Sequence, residues 1–544
     1  MKRFWKLIII VLFAGLLRFF QLTQVPPSLY WDEVSQGYNA HSILISGRDE
    51  HNELLPLARF KAFGDYKAPI YIYLDVVAQA VFGKNEFAVR FPSAFFGTLS
   101  VFVAYFLAKE LFKKSEQKER IALFAAFFLA VSPWHIQLSR AAFEANIATL
   151  FTLSAVWAFL KSMSGNRRFL FLSTILFVLA FYSFNAHRIF IPLLVLLLIV
   201  IYKDTLRETK KITAVAVFVG VILLIPFIVY FVTPESRLRF KEVNIFSDLD
   251  VIRSSNQYIE EDDYSLIGKV VHNRRVLFAE EYLRHYFDFF NPRYLFFTGD
   301  GNPRFSLQEN GQLFVWMLPL ILTGVYVLAK RPDTSTFLLF SWFLLAPVAA
   351  ATARETPHAL RTETFIPTYE VFGAVGLSFF VEIVRRFSKK ALIAGTVLFC
   401  CVVVFSITSF LHNYFIHYPY IYSGVWQYGY KETIQKVEKI KHRYDSVAFT
   451  DAYGRAYIYI LWYGNISPQT YWQKGKVTRD AFGFYTVSHV DTYEIRTSLN
   501  KTEDEGKSIL YVAAPGELSF PHKVLDSVKF LNGETAFVIA EKTE

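Results

Sequence analysis

Cysteine is almost absent: the chain has two, Cys400 and Cys401, side by side in an apolar run. That pair excludes a disulfide framework and offers no metal-ligand spacing. Charge is also thin, with DEKR at 19% of residues against roughly 25% in soluble domains. No Walker-type loop and no dinucleotide fingerprint occurs, which argues against ATP-driven transport by this chain alone. Charged residues are scarce in the middles of the apolar runs, Glu370 being the clearest exception, whereas an ion-coupled transporter usually needs several along its path. There is no internal repeat and no low-complexity tract.

What the sequence has in abundance is apolar and aromatic side chains. The set AVILMFWYC makes up 53% of 544 residues, with 57 Phe and 31 Tyr, and the mean hydropathy is +0.29. These values exclude a disordered chain, a collagen-like repeat and an ordinary cytosolic enzyme. A helix needs about 20 mostly apolar residues to cross a bilayer. Eleven candidate runs lie near 7–22, 92–112, 121–134, 144–160, 169–184, 189–202, 212–232, 313–329, 336–352, 364–384 and 391–410. A twelfth, 68–83, carries Asp75 and Gln79 and reads as interfacial or re-entrant.

With the amino terminus cytoplasmic, eleven spans place 1–6, 113–120, 161–168, 203–211, 330–333 and 385–390 inside. These segments hold twenty Lys and Arg against five Asp and Glu, as the positive-inside rule requires. Lys2-Arg3 before an apolar run resembles a signal peptide, but no small-residue cleavage site precedes Pro26-Pro27, so the run reads as a retained anchor. The expected arrangement is a multi-pass cell-membrane protein with 23–91, 233–312 and 411–544 outside. The net charge of +10 is therefore a topology signal and not a nucleic-acid footprint; 411–544 itself has fifteen basic and fifteen acidic residues.

The 411–544 segment reads as a small α/β domain. Ile434, Val437 and Ile440 sit at helical spacing within 431–442. Runs 446–450 and 509–513 look like strands, and 524–530 with 535–540 look like a hairpin around Asn532-Gly533. Asn465-Ile466-Ser467 and Asn500-Lys501-Thr502 are glycosylation sequons.

The residues that could carry chemistry are concentrated in the outer segments. Tyr30-Trp31-Asp32-Glu33 puts a carboxylate pair about ten residues after the first run, where one could act as a general base towards a hydroxyl; a solvated loop pair is the bland alternative. Asp65-Tyr66-Lys67-Ala68-Pro69 follows in the same segment. Ser139-Arg140 and Glu144 could form one ion pair on a helix end. Asn185-Ala186-His187-Arg188 brings two possible cations to a short turn, although interfacial snorkelling explains a lone Arg. Arg354, His358 and Arg361 crowd the outer loop 353–361, against the positive-inside trend. Guanidinium forks suit phosphate, with salt bridges to Glu355 and Glu363 as the alternative. Gly299-Asp300-Gly301-Asn302-Pro303-Arg304 is turn-forming.

Taken in order, these pieces resemble the polytopic GT-C glycosyltransferases that use polyprenyl-phosphate sugars. The nearest are bacterial relatives of dolichyl-phosphate-mannose protein mannosyltransferases, with the aminoarabinose-transferase-like and Rgt-like lipopolysaccharide enzymes. The resemblance is carried by Trp31-Asp32-Glu33, Asp65–Pro69, Val89-Arg90-Phe91-Pro92-Ser93-Ala94, Ser132-Pro133, Ser139-Arg140, 295–304 and 357–361, and it covers roughly 1–410. Ala68-Pro69 stands where relatives often have Pro-Pro, and Glu144 where Asp is common.

The resemblance implies an α-helical polytopic membrane protein of GT-C type, with about eleven transmembrane helices in 1–410 and a C-terminal extracytoplasmic α/β domain in 411–544. It implies an inverting transfer of a sugar, mannosyltransferase-like, from a polyprenyl-phosphate donor to a glycan, lipid or protein hydroxyl at the outer face of the membrane. Asp32 would be the base, and Glu33 would assist it or orient the acceptor. Arg354, His358 and Arg361, then Lys67, Arg140, His187 and Arg188, would meet the phosphate. A divalent metal ion assists some relatives and not others. The alternatives from other classes are a flippase for a polyprenyl-linked lipid and a non-catalytic cell-envelope assembly protein.

Overall fold

The computed structural model describes residues 4–63, 65–233, 236, 244–479, 485–500 and 506–543. Lys2 and Arg3 of the amino-terminal basic cluster, and Lys501 and Thr502 of the second sequon, lie outside the described residues.

Every one of the eleven apolar runs is helical. The helices are Trp5–Phe19, Glu86–Leu111, Lys118–Val131, Glu144–Met163, Phe169–Ser183, His187–Ile201, Lys210–Phe231, Met317–Ala329, Thr334–Leu345, Thr368–Phe387 and Lys389–His412. Among the described residues, six helices are long and apolar enough to cross a membrane, and others are shorter apolar helices. Burial divides them. The most apolar stretch of Lys210–Phe231 is only 11% buried, and that of Lys390–Ile421 only 6%. Such surfaces are stable in hydrocarbon and not in water. Glu370, read from sequence as a mid-span charge, lies instead in the first turn of Thr368–Phe387 and is buried.

The chain forms two compact units. The first comprises 1–18, 95–139 and 144–410 and is helical. Within it, Met317–Ala329 packs closely on Thr368–Phe387. A Cβ on Gly324 would stand 1.8 Å from the Phe372 carbonyl oxygen, and one on Gly376 would stand 1.9 Å from that of Leu320. Small residues let backbones approach this closely where lipid gives no hydrophobic drive for helices to associate. Indole N–H groups tie down the connecting segments: Trp134 donates to the Ala359 carbonyl at 3.0 Å and Trp342 to that of Thr364 at 2.8 Å.

The second unit comprises 19–94, 140–143 and 411–544. Here the helix Trp31–Ser46 lies against Pro69–Phe82, and Gln79 donates to the Gly37 carbonyl at 2.8 Å. Gly37 is required by its neighbours, because a Cβ there would meet Val89 at 2.7 Å. Two short strands, β1 (Phe60–Ala62) and β2 (Asp65–Lys67), pair antiparallel. Seven more strands are β3 (Ser446–Thr450), β4 (Lys476–Arg479), β5 (Tyr485–Val490), β6 (Tyr493–Arg496), β7 (Ile509–Ala513), β8 (His522–Lys529) and β9 (Thr535–Lys542). They form one sheet in the order β4-β5-β6-β3-β7-β9-β8, with β3 parallel to both β6 and β7. The expected helix, two strands and hairpin are all present. The helix Ala456–Tyr463 and strands β4 to β6 complete the α/β domain.

The helix contact through glycine is open to a direct test. Gly324→Val or Gly376→Val should force these helices apart. The loss should exceed the 1–3 kcal/mol of ordinary overpacking, because the collision is with backbone; thermal unfolding in detergent would measure it. An unchanged unfolding temperature would mean the helices do not touch through these glycines.

Candidate active site

Asp32 and Glu33 do not lie in a loop. They occupy the first turn of Trp31–Ser46, where free N–H groups and the helix dipole favour carboxylates. Neighbouring helix positions point in different directions, and here the two residues have separate environments.

Glu33 turns inward and is wholly buried. Its Oε1 accepts from Arg90 Nε at 2.9 Å and the Ala142 amide at 2.9 Å. Its Oε2 accepts from Arg90 Nη2 at 3.0 Å and the Tyr30 amide at 3.2 Å. Arg90 is equally buried, and its remaining N–H groups reach the carbonyls of Leu22 (3.0 Å), Pro26 (2.7 Å) and Ser28 (2.6 Å). Its guanidinium also lies 5.8 Å from the Trp426 ring. All five guanidinium donors thus have an acceptor. The Glu33 carboxylate thus accepts four hydrogen bonds, two at each oxygen.

Asp32 keeps 33% of its side chain exposed and is paired with Lys67 Nζ at 2.5 Å. Lys67 ends β2 and is itself nearly buried, at 8%. The Trp31 amide beside Asp32 donates to Gln427 Oε1 at 3.1 Å. That oxygen also accepts from Tyr459 Oη at 2.6 Å, and Gln427 Nε2 donates to the Tyr453 carbonyl at 2.9 Å. Arg140, expected at a phosphate, is fully buried and donates to the carbonyls of Phe20 (2.7 Å), Gln21 (3.3 Å) and Val25 (2.8 Å), with its guanidinium near Phe415 and Tyr414. It braces the chain after the first helix, as Arg90 braces the next few residues.

The remaining sequence-predicted cations lie in the first unit. Arg354 is about half exposed, 3.9 Å from an Asp248 carboxylate oxygen. Arg361 donates to the Glu355 carbonyl at 3.2 Å. His358 packs on Phe305 with ring centres 4.6 Å apart, its Nδ1 3.9 Å from Asp300. Asp300 joins the turn to this loop: its oxygens accept from the amides of Asn302 at 2.8 Å and Ala359 at 2.6 Å. His187 is buried with both ring nitrogens unpartnered, and Arg188 covers the Phe227 ring at 4.9 Å. Arg90 and Gln427 are the residues that sequence reasoning missed as parts of the site. Arg90 stood inside a quoted motif, and an arginine at the start of an apolar helix was its available signal. Gln427 gave none. Among the described residues, no three His, Cys, Asp or Glu side chains gather as a metal site, and Asp32 is paired with the Lys67 ammonium.

The fold is similar to that of solved GT-C glycosyltransferases. ArnT from Cupriavidus metallidurans, solved with undecaprenyl phosphate, superposes with a TM-score of 0.55 at 12% identity over 98% of this chain and 97% of its own. AglB, the archaeal oligosaccharyltransferase from Archaeoglobus fulgidus, solved with an inhibitory peptide and a dolichol-phosphate, gives 0.50 at 15% identity over 86% of this chain. The chain spans 64% of the length of that enzyme. Residues 66–230 match the sequence model of the family described as dolichyl-phosphate-mannose-protein mannosyltransferase. No curated protein matches the sequence significantly. The family resemblance read from the motifs is thereby borne out.

Two predictions follow from the buried groups. Arg90→Met or Glu33→Met alone should each cost about 3–5 kcal/mol, by stranding the partner's charge, whereas the double variant should recover part of that loss; denaturant unfolding of all four proteins gives the cycle. Strictly additive losses would mean the pair is not coupled. The second concerns Asp300, whose pKa burial raises from 3.8 to about 6 against the pull of its two amide bonds. The folded state therefore holds this proton more tightly than the unfolded chain. The resulting stability is complete below about pH 4 and is lost as pH rises through about 6. The difference in unfolding temperature between wild type and Asp300→Asn should shrink from pH 4 to pH 7, with His358 common to both proteins. A difference constant with pH would place this titration elsewhere.

Proposed function

We propose that the protein is an inverting glycosyltransferase that moves a sugar from a polyprenyl phosphate to an acceptor hydroxyl at the outer face of a cytoplasmic membrane. The observation that carries this reading is the first turn of Trp31–Ser46, where one carboxylate is locked inward and its neighbour is presented at the surface beside an ammonium. Asp32 takes the proton of the acceptor hydroxyl as its oxygen attacks the anomeric carbon. The bond from that carbon to the phosphate oxygen breaks, and the polyprenyl phosphate leaves with the electron pair. A single displacement inverts the anomeric centre.

Glu33 and Arg90 are positioning residues: they fix the helix start from which Asp32 projects. Lys67 sets the Asp32 carboxylate and supplies positive charge where the phosphate departs, since cations aimed at a developing anion lower the barrier. Arg354 and Arg361, with His358 between them, are candidates to hold the phosphate group. The charge distribution of the short connections supports the outward orientation, and a lipid-linked donor suits a site on that face. The fold shared with transferases solved with polyprenyl phosphates supports the donor class, and the 66–230 family match supports a mannosyltransferase-like reaction.

Asp32→Asn should lower transfer from polyprenyl-phosphate mannose by about 10²–10⁴-fold, with undecaprenyl phosphate still bound at the wild-type Kd. Transfer at the wild-type rate would remove Asp32 as the base. A flippase would move the lipid equally well with either residue and form no new glycosidic bond. Arg354→Glu with Arg361→Glu should raise the Kd for undecaprenyl phosphate at least tenfold; an unchanged Kd would assign the phosphate to other residues.

A further inference from the structure

The seven-stranded sheet carries a cavity lined by none of the residues assigned above. It has a volume of about 290 Å³ and lies outside the carboxyl ends of β3 and β6. Asp451, just past β3, and Arg496 to Ser498, at the end of β6, form its floor. The Asp451 amide donates to the Arg496 carbonyl at 2.9 Å, closing the two strand ends together. The start of β5 supplies the facing wall through Tyr485, Thr486 and Ser488, and Arg455 and Tyr457 complete the lining.

After β3 the chain builds β6 on one side, then crosses to build β7 on the other. The cavity lies on the β6 side of β3, at the carboxyl ends of these two parallel strands, an end of the sheet where ligands commonly bind. The backbone at the rim is held in a costly conformation: Arg455 has φ +59°, a strain that clusters at ligand-binding positions.

The chemistry of the lining favours a neutral, hydroxyl-rich ligand over an anion. Arg496 is already paired with Glu494 at 3.1 Å through Nε. The Arg455 charge is opposed by the Asp451 carboxylate in the same cavity. What remains is a set of hydroxyls, a carboxylate, guanidinium planes and tyrosine rings, which can meet the alternating hydroxyls and C–H faces of a pyranose.

The cavity and the helix that carries Asp32 belong to the same unit. Between Asp451 and Arg455 lies Gly454, whose Cβ position would be 3.3 Å from the Trp31 ring, one residue from Asp32. Arg455 itself lies over Phe63 at 5.0 Å, in the connection that leads to Lys67. We propose that this cavity binds a pyranose unit of the acceptor, so that the acceptor is a glycan or glycolipid held by the α/β domain beside Asp32. The assignment rests on the transferase reading for the word acceptor, but sugar binding by the cavity does not.

Ser488 and Thr497 are exposed lining residues on which a large side chain would fill the cavity without entering the core. The test is saturation-transfer NMR on the full-length protein in nanodiscs with methyl α-mannoside, methyl β-glucoside and methyl β-galactoside as probes. The wild type and Asp32→Asn should both give transfer to at least one of them. Ser488→Trp and Thr497→Trp, each checked for a wild-type unfolding temperature, should reduce it at least fivefold, and inorganic phosphate should not compete. No transfer to any methyl glycoside, undiminished transfer in both filled variants, or displacement by phosphate would overturn the proposal. Failure of the transferase reading would show differently, as no new glycosidic bond formed by the wild type while sugar binding stays intact.

Discussion

The ion pair between Arg90 and Glu33 is the constraint on which the second unit is arranged. Taking both charges out of water costs several kcal/mol per ion, and attraction offsets this only when every remaining donor and acceptor is satisfied. The chain meets that condition by bending residues 22–28 so that three carbonyls face one guanidinium, and by bringing the Ala142 amide to the carboxylate. The loop geometry after the first helix, the starting point of Trp31–Ser46 and the placement of the 140–143 turn are therefore one problem with one solution. Asp32 inherits its position from it.

A second constraint comes from the solvent of the other unit. Helices such as Lys210–Phe231 and Lys389–His412 expose Phe218, Phe231, Val404 and Phe405, so apolar burial is not what holds them in the protein. Tyr182 ties one of them by accepting from the Phe227 amide at 3.0 Å and donating to the Leu223 carbonyl at 3.1 Å, while close backbone approach at Gly324 and Gly376 joins other helices of the unit. Polar groups then gather where the helices end, in the 299–306 and 353–361 segments, which the carboxylate of Asp300 joins.

Much of this was legible in the sequence because hydropathy is a long-range, additive signal. All eleven apolar runs became helices, and the Asn532-Gly533 hairpin and the strands at 446–450 and 509–513 followed from local turn chemistry and β-branched runs. The strands β4 to β6 were not legible, since 476–479 is polar and exposed throughout and its pairing is set by partners distant in sequence. The site was half legible. Asp32 and Lys67 could be named from their motifs, but nothing local distinguishes an inward Glu33 from an outward Asp32. Arg140 shows the same limit: residue type suits phosphate and backbone carbonyl equally, and only the fold decides that this one brackets Phe20 and Val25.

The paucity of sulfur has a use beyond what it excludes. Cys400 and Cys401 both sit on the outward surface of one apolar helix, Lys389–His412, where hydrocarbon shields a thiol from a water-borne reagent. The natural chain is thus close to a cysteine-free background. A cysteine placed in the basic connection at Ser115, or in the α/β domain at Ser519, would report through a membrane-impermeant maleimide almost alone, and the native protein already contains its own lipid-buried control.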